Sequence, residues 1–185
     1  MFEQAVGEKQ LEIAREMGDL GRRLEGGDES KLLHWVIPGM LACIHRPLRH
    51  HPHYGGSGVP IPSSAKPLIL DWIELLRVEG VASIISLMHD RDLACYREID
   101  FDGGTLVEAL ARHGFQLCPL PGEDPLHSKT DRNLKQAKLQ EMREKALHAF
   151  DQLPKPVVLV CSAGVDRSGP AAAFISESLR SRGAI

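Results

Sequence analysis

Apolar residues recur along this chain with two periods. Ile13, Met17, Leu20 and Leu24 stand at helical spacing amid Glu, Arg and Lys, which predicts an amphipathic helix ending at Gly26-Gly27, with Gly18 and Gly21 weakening it. The stretch HWVIPGMLACI (34–44) predicts a strand, a turn and a strand. HRPLRHHPHYGGSGVPIPSS (45–64) is dense in His, Pro and Gly and predicts the longest irregular segment, of the kind that forms a rim or lid over a site.

Beyond residue 62 the two periods alternate. Ser63-Ser64 predicts the cap of a helix whose Leu68, Trp72, Leu75 and Leu76 share a face and which stops at Gly80, before a strand in VASIISL (81–87). Thr105 and Glu108 match a capping box that opens a short helix ending at Gly114, and FQLCPL (115–120) reads as the next strand. Thr130 or Asp131 starts a longer helix carrying Met142, Ala146, Phe150 and Leu153. PVVLV (156–160) is a further strand, and Pro170 opens a helix through Phe174 and Leu179. Short apolar strands alternating with helices predict an α/β fold, a central, mostly parallel sheet flanked by helices. Residues 1–30 read as an N-terminal helical extension, for packing or dimerisation, and 31–185 as the main domain.

Composition narrows the function classes. The 185 residues suit a single domain, and 43% hydrophobic with 25% charged residues is the balance of a water-soluble globular chain. The net charge of −3 supplies no basic field, so nucleic acid is not an expected partner. No apolar run approaches the roughly 20 residues of a spanning helix, so no membrane association is expected. Cys43, Cys95, Cys118 and Cys161 form no CxxC pair or zinc spacing, which fits a reducing, cytoplasmic setting, with the first three as small buried hydrophobes. His45, His50, His51 and His53 lack partners at a metal-ligand spacing, and neither metal nor cofactor is expected.

The chemistry concentrates in LVCSAGVDRSGPAAAF (159–174). Cys161 ends an apolar strand, at the sheet edge where α/β sites form. Ser162, Ala163, Gly164, Val165 and Asp166 then make a loop leading through Arg167 and Ser168 into a helix. Backbone N–H groups and the dipole at that helix start favour an anion, phosphate above all, and Arg167 can fork two donors onto two phosphate oxygens. The same field stabilises a Cys161 thiolate, a nucleophile facing the bound phosphorus.

This segment resembles the CxxxxxR(S/T) signature of the cysteine-dependent protein tyrosine phosphatase superfamily. WVIPGMLA (35–42) and GVASIISL (80–87) are similar to core strands of atypical dual-specificity phosphatases, so the resemblance covers about residues 34 to 180. Low-molecular-weight tyrosine phosphatases carry such a loop near the N-terminus and rhodanese-like sulfurtransferases a shorter one; both match less well. The resemblance implies a protein tyrosine phosphatase-like fold, no cofactor, and hydrolysis of a phosphorylated protein or small phosphate ester through a phosphocysteine. It gives Cys161 the nucleophile's role, residues 162–167 the phosphate cradle, and Ser168 a hydrogen bond to the departing sulfur, beside its local role as a helix N-cap.

It also implies a general acid on a separate loop. Asp124 in LPGEDPLHS (120–128) is the first candidate and Glu123 the second, against a solvated turn capping the next helix. Asp166 is a third, because acids inside this loop resemble the KDR loops of bacterial and lipid-directed members, although Val165 stands where those carry Lys. Arg46 and Arg49 are candidates for a rim that attracts phosphate. Val160 replaces the family's usual His, and the chain stops at Ile185 where the family adds helices, so either the N-terminal helix supplies that cover or the chain is a truncated relative. The alternatives are a catalytically weak pseudophosphatase or phosphate-binding module, and a phosphatase for inositol or lipid phosphates. The oligomeric state is open.

Overall fold

The computed structural model describes residues 1–122 and 131–185. In chain order these form α1 (Phe2–Glu25), β1 (His34–Ile37), β2 (Leu41–His45), α2 (Lys66–Val78), β3 (Ser83–Ser86), α3 (Asp90–Leu93), α4 (Leu106–Arg112), β4 (Gln116–Pro119), α5 (Arg132–Gln152), β5 (Val157–Cys161) and α6 (Ser168–Ser181). The strands make one sheet in the order β1-β2-β5-β3-β4, in which only the β1–β2 pair is antiparallel. The protein is therefore an α/β fold with a mostly parallel sheet flanked by helices.

Strand β5 shows why the sheet must be covered on both sides. All five of its residues are buried, and they alternate between two apolar clusters: Val157, Leu159 and Cys161 face one, Val158 and Val160 the other. The first cluster is completed by α1, α5 and α6, the second by α2, α4 and the segment around Tyr96. Central parallel strands, with crossover helices on each face, have no side left for solvent.

Helix α1 belongs to the first cluster: Ile13, Met17 and Leu20 are buried beside residues of α6 such as Ala171 and Ile175, and Phe2 meets the Phe174 ring edge-on with centroids 5.8 Å apart. Cover for α6 thus comes from the chain's own N-terminal helix, which shares its core with residues 31–185. Gly21 has a packing reason. A Cβ there would lie 3.0 Å from the His50 ring, so its absence lets the His-rich loop approach α1.

Two helix starts differ from expectation. Ser63-Ser64 do not cap α2; Ser63–Ala65 forms a 3₁₀ turn, and the helix begins at Lys66-Pro67 without a side-chain cap. Pro67, lacking an N–H and fixed in φ, starts a helix unaided. Its buried face is Ile69, Trp72, Ile73 and Leu76, an i, i+3, i+4, i+7 set, which leaves Leu68 and Leu75 half-buried to one side. Thr105 and Glu108 do form their capping box, and Asp131 caps α5 by accepting from the Asn133 N–H at 2.8 Å; Thr130 lies outside the described residues. No helix among the described residues is long and apolar enough to cross a membrane.

Candidate active site

Strand β5 delivers Cys161 to the carboxyl edge of the sheet, and α6 begins seven residues later, at Ser168. The Cys161 Sγ accepts a hydrogen bond from the Gly164 N–H at 3.2 Å, so the loop curls back over the sulfur. That curl needs Gly164, whose φ of +70° is a left-handed conformation costly for other residues. The neighbouring strand anchors the loop's start, where the Arg46 N–H lies 3.0 Å from the Cys161 carbonyl and 3.2 Å from that of Ser162. Ser162, Ala163, Gly164, Val165, Asp166 and Arg167 are thus gathered between one strand end and one helix N-terminus, an arrangement that favours an anion.

Arg167 is the helix's N-cap residue, and Ser168 is its first helical residue without a side-chain cap bond. The capping role expected of Ser168 is therefore not realised. Its hydroxyl is wholly buried with no hydrogen-bond partner among the described residues.

The Arg167 guanidinium is fixed by residues far away in sequence. Its Nη1 donates to the Leu87 carbonyl at 3.0 Å, to Asp92 Oδ2 at 2.6 Å and to the Gly122 carbonyl at 3.3 Å. Asp92 also accepts from the His89 N–H, reciprocating the cap that His89 places on α3. Burial raises the Asp92 carboxyl, but its bond to Arg167 and the guanidinium charge outweigh burial and hold it below the ordinary carboxylate range. Asp92 carries no local motif, and only the tertiary fold assigns it this place.

Only the tertiary fold brings His45, too, to the loop. It is the register partner of Cys161 across the β2–β5 ladder, is 3% exposed, and packs between Met17, Gly164 and the His50 ring. Burial foremost, then the adjacent His50, pushes its pKa down to about 3, against the opposing pull of the Ala163 and Met17 backbone. It is a neutral imidazole wedged behind the loop. His50 in turn bonds Glu25 at the end of α1, at 2.7 Å.

The two expected rim arginines part ways. Arg46 is no rim residue; it is 2% exposed, with its guanidinium bonded to the Tyr96 hydroxyl at 3.2 Å and the Gly56 carbonyl at 2.8 Å. It pins the long loop inward because Tyr96, itself bonded to the Pro47 carbonyl, fills the space below. Arg49 is half-buried and lines a separate cavity.

Beside Arg167 lies a cleft of about 670 Å³, lined among the described residues by His89, Lys135, Lys138, Met142 and Lys145 as well as the arginine. Lys145 pairs with Glu141 at 2.6 Å. Asp124 and Glu123 lie outside the described residues. Cys43, Cys95 and Cys118 are free thiols like Cys161; burial pushes the Cys43 thiol far up, and no group of three His, Cys, Asp or Glu among the described residues is arranged to hold a metal ion.

The chain matches no protein-family model and no curated protein.

Proposed function

We propose that the protein is a cysteine-dependent phosphatase, hydrolysing phosphomonoesters of phosphotyrosine, phosphoserine or phosphothreonine in a protein, or of a small molecule. The observation that carries this reading is the loop that folds the Gly164 N–H onto Cys161 Sγ just before α6, with Arg167 at the loop's other end held by Asp92. In this reading the Cys161 thiolate bonds to phosphorus as the ester P–O bond breaks, and the leaving oxygen takes a proton from an acid. Water then displaces the sulfur as thiolate and releases inorganic phosphate. The loop N–H groups and Arg167 stabilise the charge on the phosphoryl oxygens.

Asp124 is the proposed acid, with Glu123 and Asp166 behind it. Asp92 does not suit that role, because its bond to Arg167 keeps it ionised. Ser168, with a buried hydroxyl not otherwise engaged, suits the hydrogen bond to the departing sulfur. Three lysines of the cleft stand against two acids, Asp90 and Glu141, and with Arg167 they favour an anionic substrate, which keeps phosphorylated inositols or lipid headgroups within the reading.

One observation favours a second reading, a module that binds phosphate with little or no turnover. Cys161 and Arg167 are 1% and 2% exposed, and Arg167 Nη1 is already engaged with Asp92. Phosphatase activity without metal, abolished by Cys161→Ser, supports the first reading. Binding of phosphate or vanadate without turnover supports the second.

A further inference from the structure

A separate cavity of about 120 Å³ opens between the end of α1, the His-rich loop and α2. One wall is apolar. Trp72, Leu68 and Leu75 of α2 line it with Leu24 and Leu32, and Leu68 and Leu75 are the two leucines that the α2 core face leaves half-buried. Arg46 and Arg49, with His45, His50 and His51, also line the cavity.

Among the described residues neither Arg46 nor Arg49 forms an ion pair, although Glu29 and Asp71 stand exposed among the lining residues and His50 is bonded to Glu25. Three side-chain nitrogens of this one segment, on Arg46, Arg49 and His50, are buried without a hydrogen-bond partner among the described residues; Arg46 is 2% exposed. Buried guanidinium donors left unpaired are costly. For Arg49, burial and then the like charge of Arg46 pull the pKa below the usual arginine value. An anion beside Arg49 would offset the like charge of Arg46, and a planar carboxylate matches the guanidinium fork.

We infer that this cavity binds a small aryl carboxylate, its ring against Trp72, Leu68 and Leu75 and its carboxylate on Arg49. A cavity of roughly 150 Å³ encloses a benzene ring, so at about 120 Å³ this one takes the ring only in part and leaves the carboxylate at its rim, where Arg49 is half-buried. The inference does not rest on the phosphatase reading, because Cys161 and Arg167 are not among the lining residues.

Benzoate is the probe. In protein carrying Trp35→Phe, Trp72 is the only tryptophan, and its fluorescence should change saturably with benzoate. Calorimetry on the unmodified chain gives the same binding without that substitution. Arg49→Ala should weaken binding at least tenfold, with part recovered in Arg49→Lys. Benzyl alcohol, which has the ring without the charge, and inorganic phosphate, which has the charge without the ring, should leave Trp72 unchanged. No binding at millimolar benzoate, equal binding in Arg49→Ala, or an equal response to benzyl alcohol would overturn the inference, whatever the outcome of phosphatase assays.

Discussion

Asp92 Oδ2 lies 2.6 Å from Nη1 of Arg167, joining the start of α3 to the start of α6 across 75 residues of sequence. Both side chains are largely withdrawn from water, at 14% and 3% exposure. Removing one partner of such a pair leaves the other's charge buried and uncompensated.

Asp92→Asn should therefore cost about 2–3 kcal/mol of stability, at the low end for a broken buried pair because Asn keeps an oxygen for the His89 N–H. Since the folded carboxyl titrates lower than the unfolded one, the pair's contribution is fully present above about pH 4 and is lost as pH falls through the folded value. Urea unfolding of wild type and variant should differ at pH 7 and converge below pH 4. A constant difference across that range would show that charge is not what Asp92 contributes. If the chain hydrolyses phosphate esters, the variant should also raise KM, since Arg167 loses its fixed orientation.

His45 sets a second pH dependence. Its pKa is pushed down to about 3, so between there and the unfolded value of about 6.5 the unfolded chain binds a proton that the fold does not. Stability should fall as pH falls through this window, by up to about 1.4 kcal/mol per pH unit from this residue alone. His34 and His50 are shifted in the same direction, also by burial foremost, and add to the slope. His45→Phe should flatten the dependence between pH 6.5 and 4.5 by up to one proton's worth, read from urea midpoints. An unchanged slope would mean that the imidazole is protonated in the fold.

The contact between α1 and the loop is testable by a double-mutant cycle. A Cβ on Gly164 would fall 2.3 Å from Met17 Cε, besides adopting a φ of +70°. Gly164→Ala should cost about 1–2 kcal/mol for the backbone alone and more for displacing Met17. Met17→Ala should cost about 2–5 kcal/mol as a core truncation. Together they should cost clearly less than the sum, because the space vacated by Met17 receives the new methyl group. Additive costs would remove α1 from the loop's support.

Local features of the fold were legible in the sequence, and long-range ones were not. The Thr105–Glu108 box, the alternating strands and the face of α5 near Ala146 and Phe150 follow from spacing within a few residues, and the structure has them. Of the expected α2 face Trp72 and Leu76 are buried, but Leu68 and Leu75 fit a helical stripe equally well, and packing with Ile84 and Val158 takes Ile69 and Ile73 in their place. Cys161, Arg167 and Ser168 stood out because their loop is contiguous. Asp92 and His45 did not, since an isolated Asp and one His among several carry no pattern until β3 and β2 bring them to the loop.

The most direct test of the central claim is hydrolysis of an aryl phosphate with EDTA present, by the wild type beside Cys161→Ser, Asp124→Asn and Asp166→Asn. The account predicts metal-free turnover that Cys161→Ser abolishes, and a loss of 10²-fold or more on a poor leaving group in whichever Asp variant removes the acid, Asp124→Asn by preference. Turnover that survives Cys161→Ser would contradict a cysteine mechanism, and no turnover at all with intact vanadate binding would leave the loop as a phosphate-binding site without catalysis.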